Sequence, residues 1–217
     1  VPAAWVLKKP EGISASEAMA WGTAGFTAAL SVQKLERAGI SPDRGPVLVT
    51  GATGGVGSVA VSLLSKLGYS VVALSGKADK NDWLESLGAK RIVSRDDLLS
   101  LKGKAMAKPV YQAAVDTVGG DMVSAILPQL MPEGAVTTCG MIAGVKVEAS
   151  VFPFILRGVS LLGVDSVEIP RADKQAVLDK AAGDWKLESL ESMTTEIGRK
   201  ELPDVLSRII KGEGVGR

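Results

Sequence analysis

The chain has 217 residues, 46% of them hydrophobic and 23% charged, with 25 Lys+Arg against 24 Asp+Glu. That is enough apolar material for one well-buried core, and a net charge of +1 with only four Trp, two Tyr and three Phe gives neither a basic stripe nor stacking platforms for nucleic acid. With no histidine and one cysteine, Cys139, these residues hold no internal disulfide, no Cys/His zinc set and no Ser-His-Asp triad.

The chain starts at Val1 without a Met and without a basic segment followed by an apolar one. A part of a longer protein, with no signal peptide and a cytoplasmic location, is therefore expected. Ser14-Ala15-Ser16-Glu17 reads as a capping box that opens an apolar helical segment running to about Ala38, and Gly22 and Gly25 predict a break between two helices inside it. The uncharged run from Gly45 to Ser65 is long enough to raise the question of a membrane span. Pro46, its glycines and its Ser/Thr residues suit a strand, a tight turn and a buried helix instead, and no membrane association is expected.

Short β-branched runs then recur at Pro46–Thr50, Ser70–Leu74, Arg91–Val93, Ala113–Val115, Ala135–Thr138 and Val159–Val164, each bounded by Gly, Asp, Pro or Ser, and each predicts a strand. Helical spacing fills the intervals at Val56–Leu67, Asp79–Leu87 and Asp121–Leu130, with Gly68 and Gly88 as stop signals. Strands that are apolar throughout need cover on both faces, as parallel strands with crossover helices have. An α/β fold with a doubly wound parallel sheet follows. Near the end, Leu202, Val205, Leu206, Ile209 and Ile210 line one face of a last helix.

The strongest local signal is Thr50-Gly51-Ala52-Thr53-Gly54-Gly55-Val56-Gly57, set between the first strand and the first crossover helix. Small residues there let the backbone approach a pyrophosphate, and the free N–H groups of the helix end hold it. An NAD site usually carries Asp or Glu about 20 residues further on, to accept hydrogen bonds from the ribose hydroxyls. This chain has Ser75-Gly76-Lys77 in that place. With no carboxylate to repel a 2′-phosphate, and with a hydroxyl and a cation to attract one, NADPH is favoured over NADH. Arg95, after the third strand, either closes over the same phosphate or pairs at the surface with Asp96 or Asp97. Cys139 reads as a small buried hydrophobe. Asp116-Thr117-Val118-Gly119-Gly120 reads either as a simple turn or as a loop beside the cofactor.

With these residues in view, the chain resembles the medium-chain dehydrogenase/reductase superfamily, specifically its zinc-independent quinone oxidoreductase branch and, within that, the acrylyl-CoA reductase type. The resemblance is carried by Gly22-Thr23-Ala24-Gly25-Phe26-Thr27-Ala28, Thr50 to Gly57, Ser75-Gly76-Lys77, Ser86-Leu87-Gly88-Ala89, Pro153-Phe154-Ile155-Leu156-Arg157 and Gly163-Val164-Asp165-Ser166-Val167. It implies a Rossmann domain whose Thr53, Gly54, Gly55 and Val56 meet the pyrophosphate of NADPH. Ser75, Gly76, Lys77 and Arg95 would surround the 2′-phosphate, and Met141, Ile155 and Ser166 the nicotinamide half. Lys77 stands where relatives often have Arg, and Met141 where they often have another aliphatic residue.

The resemblance also implies a GroES-like catalytic domain of roughly a hundred residues that this chain lacks. Residues 1–40 then read as a helical segment linking from that domain, and 41–217 as the Rossmann NADP-binding domain. The implied reaction is hydride transfer from NADPH to an α,β-unsaturated carbonyl, a short enoyl-CoA such as acrylyl-CoA. The alternatives are an NADPH:quinone or enone reductase, or an NADPH-binding module without turnover. No catalytic residue and no metal ligand is assigned within these residues, and an edge strand around Leu161–Val167 is expected to pair two copies into a homodimer.

Overall fold

In the computed structural model, which describes residues 2–217, the apolar runs form strands β1 (Pro46–Val49), β2 (Ser70–Leu74), β3 (Ala89–Val93), β4 (Tyr111–Asp116), β5 (Leu130–Thr138) and β6 (Ser160–Gly163). They make one sheet in the order β3-β2-β1-β4-β5-β6, with every neighbouring pair parallel. The chain winds outward from β1 in both directions, so the order reverses between β1 and β4, and a crevice opens there at the carboxyl ends of the strands.

Residue alternation along these strands feeds two cores. Val47, Val49, Val71, Ala73, Ala113 and Val115 point to one face, against helices α1 (Ala15–Arg37) and α2 (Gly55–Lys66). Leu48, Val72, Leu74, Ala114 and Val136 point to the other, against α5 (Asp121–Ile126). With both faces covered, the strands have no polar side to alternate, which is why they read as continuous apolar runs.

The remaining helices are α3 (Asn81–Ser86), α4 (Arg95–Leu99), α6 (Phe152–Arg157), α7 (Arg171–Ala182) and α8 (Leu202–Ile210). The capping box forms as expected, Ser14 Oγ accepting from the Glu17 N–H and Glu17 Oε2 from the Ser14 N–H. The predicted break is a kink at Gly22, whose φ of 45° and ψ of −158° suit a residue without a Cβ. Gly25 lies within the helix, where a Cβ would stand 2.7 Å from the Trp21 ring, so close packing and not a break explains it.

The helix expected over Asp121–Leu130 stops at Ile126. Pro128, without an N–H to continue it, sits in a 3-10 turn, and Leu130 already belongs to β5. The helix expected over Asp79–Leu87 is shorter too, a 3-10 turn at Ala78–Lys80 followed by α3. Helix α8 has the apolar stripe read from the sequence, yet it buries none of it: Leu206 is 49% exposed and Ile210 86%. Among the described residues no helix is long and apolar enough to cross a membrane.

Candidate dinucleotide site

The glycine turn begins where β1 ends. The Thr50 N–H donates to the Val115 carbonyl and the Ala52 N–H to that of Leu74, which pins the turn between β4 and β2. Gly51 has a φ of 57°, and the Gly54 N–H closes the turn on its carbonyl at 2.9 Å. A Cβ on Gly57 would stand 2.2 Å from the Gly51 carbonyl oxygen, so only glycine lets α2 start this close to the turn.

Gly54 caps α2 without a side chain, and the N–H groups of Gly55, Val56 and Gly57 find no acceptor among the described residues. A helix of this length with an uncapped first turn presents free donors and the positive end of its dipole. Beside it lies Arg217. Its Nε donates to the Ala20 carbonyl at 2.9 Å, and a Cβ on Gly55 would stand 3.1 Å from Nη1. Partial burial pushes the guanidinium below its ordinary pKa, although Arg remains charged in proteins. Bonds from Arg217 N to Met193 O, Thr195 N to Arg217 O, and Gly216 N to Thr53 O hold this end of the chain across the turn. No local pattern in the sequence announces this placement, because Arg217 and Gly55 meet only through the fold.

At the end of β2, Ser75 Oγ accepts from the Lys77 N–H, and nothing lies within 4 Å of a Cβ built on Gly76, so the backbone there is open to a ligand. Lys77 Nζ donates to the Gly214 carbonyl at 2.6 Å. Arg95 is exposed at the start of α4, beside the end of β2, where the Ser75 N–H bonds to the Val93 carbonyl. No salt bridge joins Arg95 to Asp96 or Asp97; Asp97 instead caps α4 through Ser94. The turn, the β2 end and the β3 end therefore form one side of the crevice.

On the other side, Met141 follows β5 and is 69% exposed, and Ser166 follows β6 and is half-buried. Ile155 lies on α6, which packs against β5, and is 68% exposed. Core packing thus explains neither Met141 nor Ile155. Between the ends of β5 and β6 is an open cavity of about 540 Å³, lined in part by Thr138, Cys139, Gly163 and Asp165. Burial, and then the nearby Asp116 charge, pushes the Cys139 thiol up to about 11, which makes it inert at neutral pH.

Beneath the loops at this edge lies Asp116, fully buried at the end of β4. Its Oδ1 accepts from Thr50 Oγ1 at 2.7 Å and the Val118 N–H at 3.3 Å, and its Oδ2 from the Gly119 N–H and Thr138 Oγ1, both at 2.9 Å. One side chain thereby ties the glycine turn, the β4 loop and the end of β5 together. The sequence offered these residues as a turn or as a loop beside the cofactor, and only the fold shows the carboxylate turned inward.

The pattern of the zinc-binding dehydrogenase family matches residues 55–183. The chain belongs to that family. It is the nucleotide-binding part of the medium-chain dehydrogenase/reductase superfamily, as its motifs suggested. The acrylyl-CoA reductase AcuI of Ruegeria pomeroyi is 43% identical over 217 residues, which are 100% of this chain and 66% of that protein. The yhdH oxidoreductase of Salmonella enterica, solved in complex with NADP, superimposes with a TM-score of 0.94 at 43% identity, covering 99% of this chain and 66% of that one. The Bacillus subtilis protein yhfP, solved with NAD bound, gives a TM-score of 0.96 at 46% identity, covering 100% and 66%.

The chain thus spans just under two thirds of the length of these relatives. The zinc of the family's name finds no site here. Among the described residues no three His, Cys, Asp or Glu side chains gather to hold a metal ion, and the donor set is one cysteine without any histidine.

Proposed function

We propose that this chain is the NADPH-binding part of an oxidoreductase that reduces an α,β-unsaturated carbonyl, a short enoyl-CoA such as acrylyl-CoA. The observation that carries the reading is the pairing of an uncapped α2 end, flanked by the Arg217 guanidinium, with Ser75, Gly76 and Lys77 where an NAD site would place a carboxylate. Thr53, Gly54, Gly55, Val56 and Arg217 hold the pyrophosphate through backbone donors and one cation. Ser75, Gly76, Lys77 and Arg95 receive the 2′-phosphate, whose two negative charges a carboxylate would repel. Met141, Ile155 and Ser166 border the nicotinamide half and keep water from it.

NADPH, when bound, supplies the hydride that reaches the β-carbon of the substrate. The chain contributes position and dryness. In the whole protein, residues 1–40 lead in from a catalytic domain and 41–217 carry the nucleotide. The likeness to the Ruegeria reductase supports an acyl-CoA substrate. The one free cysteine suits a reducing, cytoplasmic setting. Strand β6 is hydrogen-bonded on one side only and leaves Leu161 39% exposed, which supports a homodimer built by edge pairing. A monomeric mass at high concentration overturns that assembly.

The test uses the full-length protein with NADPH and follows the nicotinamide absorbance on adding acrylyl-CoA or a quinone. Faster turnover with acrylyl-CoA is expected. Turnover with the quinone alone replaces the substrate by a quinone, and NADPH binding without turnover of either leaves a binding module.

A further inference from the structure

The Asp116 carboxylate stands at the crevice edge, and the proposed function does not use it. It is 0% exposed. Each of its four contacts comes from a donor. The two N–H groups can only donate. The Thr50 hydroxyl accepts from the Thr117 N–H at 3.0 Å, so its own hydrogen is turned to Asp116. Four donors around one carboxylate are what a buried charge requires.

What the charge lacks is a cation. No Lys or Arg among the described residues forms an ion pair with it, although buried carboxylates are ordinarily paired or bind a metal. The hydrogen-bond donors orient their dipoles toward it and leave its net charge in place. Its position is equally particular. Its sequence neighbours Thr117 and Val118 are packed against the glycine turn, since a Cβ on Gly51 would stand 2.4 Å from Thr117 Oγ1 and 3.0 Å from Val118 Cγ2. Its partner Thr138 ends β5. A dinucleotide laid across the switch point of this sheet would turn its adenosine half toward β2 and β3 and its nicotinamide half toward β4 and β5. The unpaired charge, at the end of β4, would then stand on the nicotinamide side of the crevice.

We infer that Asp116 is an electrostatic tuning residue, whose buried unpaired carboxylate favours the cationic oxidised nicotinamide over the neutral reduced one. The inference rests on the proposed NADPH site. The two cofactor forms share the adenosine, the 2′-phosphate and the pyrophosphate, and differ by a hydride, a proton with two electrons, at the ring. Loss of that hydride leaves a positive charge on the ring. A fixed negative charge in a dry site attracts that ring more strongly than its neutral partner. Asp116 thus acts on the difference between the two forms, and this separates it from a merely structural hub, which supports both alike.

The test measures Kd for NADP+ and for NADPH by calorimetry, with thermal unfolding alongside, for the wild-type protein, Asp116→Asn and Thr138→Val. Asp116→Asn keeps the shape and removes the charge, and should raise the ratio of Kd for NADP+ to Kd for NADPH by about tenfold. Thr138→Val removes one donor and keeps the charge, and should lower the unfolding temperature without raising that ratio. An unchanged ratio in a folded Asp116→Asn protein overturns the inference and leaves the cofactor site standing. If that variant does not fold, Asp116→Ser, which also removes the charge, takes its place, and an unchanged ratio there overturns the inference. Wild-type protein that binds neither form overturns the cofactor site and the inference together.

Discussion

Lys77 Nζ donates a hydrogen bond of 2.6 Å to the Gly214 carbonyl, so the cation expected to meet the 2′-phosphate is held by the same segment that crosses the glycine turn. An ammonium has three donors, and one bond to Gly214 leaves two for a phosphate. Arg95, exposed and without an ion pair among the described residues, adds a second cation. Replacing both by Ala should weaken NADPH by about a hundredfold, roughly one factor of ten per lost charge-assisted contact. NADH, without the 2′-phosphate, should change little. Calorimetric titration of the Lys77→Ala, Arg95→Ala variant with both cofactors checks this, and an equal loss for both would contradict the assignment.

Arg217 makes the opposite prediction. It stands at the α2 end, beside Gly55, where the part of the ligand common to NADPH and NADH is received. Arg217→Ala should therefore weaken both by a similar factor, about tenfold, and leave their ratio unchanged. A change in the ratio would move Arg217 from the pyrophosphate to the adenosine end.

These two cations also show how far the sequence could be read. Lys77 was visible because it follows β2, and strands buried on both faces announce themselves as apolar runs ending in polar residues. Arg217 lies far along the chain from Gly55, and no local pattern joins them. Asp116 looked like a turn residue, since the signal of an inward carboxylate is its partners Thr50 and Thr138, which come from other strands. Helix α7 was missed for a similar reason. Only Val177 and Ala181 along it are buried, too few to set a helical period.

The closeness of α2 to the turn is a packing prediction. A Cβ on Gly57 would stand 2.2 Å from the Gly51 carbonyl oxygen and 2.7 Å from its carbonyl carbon, backbone atoms that cannot rotate away. Gly57→Ala should destabilise the protein by about 1–3 kcal/mol, measured as a lower urea midpoint. Gly76→Ala has nothing within 4 Å to meet and should leave the midpoint nearly unchanged.

Arg157 stabilises the loops at the start of β5. Its Nη1 donates to the Pro128 and Leu130 carbonyls, both at 2.9 Å, and its Nη2 to the Ala107 carbonyl at 2.7 Å. Three carbonyls from two segments fit a planar fork and not a point charge. Arg157→Ala should cost about 3 kcal/mol, and Arg157→Lys should recover only a minor part. Full recovery with Lys, read from urea unfolding, would mean that charge alone matters there.

Cys139 gives a pH dependence whose direction follows from its surroundings. Its Sγ lies 3.5 Å from the Asp116 carbonyl oxygen, and burial together with the Asp116 charge raises the thiol from 9.0 to about 11. The folded state therefore holds this proton more tightly than the unfolded chain does. The stability from that difference is fully present below about 9 and is lost as pH rises through about 11. Tyr69 and Tyr111 are also raised by burial and add to the same alkaline loss. Cys139→Ala removes only the thiol's share, so its unfolding free energy should fall less steeply than that of the wild type between these limits. The same shift keeps the thiolate scarce at pH 7.5, where a disulfide reagent should label Cys139 far more slowly than a free thiol of ordinary pKa. Identical alkaline slopes in the two proteins, or fast labelling at neutral pH, would show that the thiol faces water and not the Asp116 carbonyl beneath the crevice.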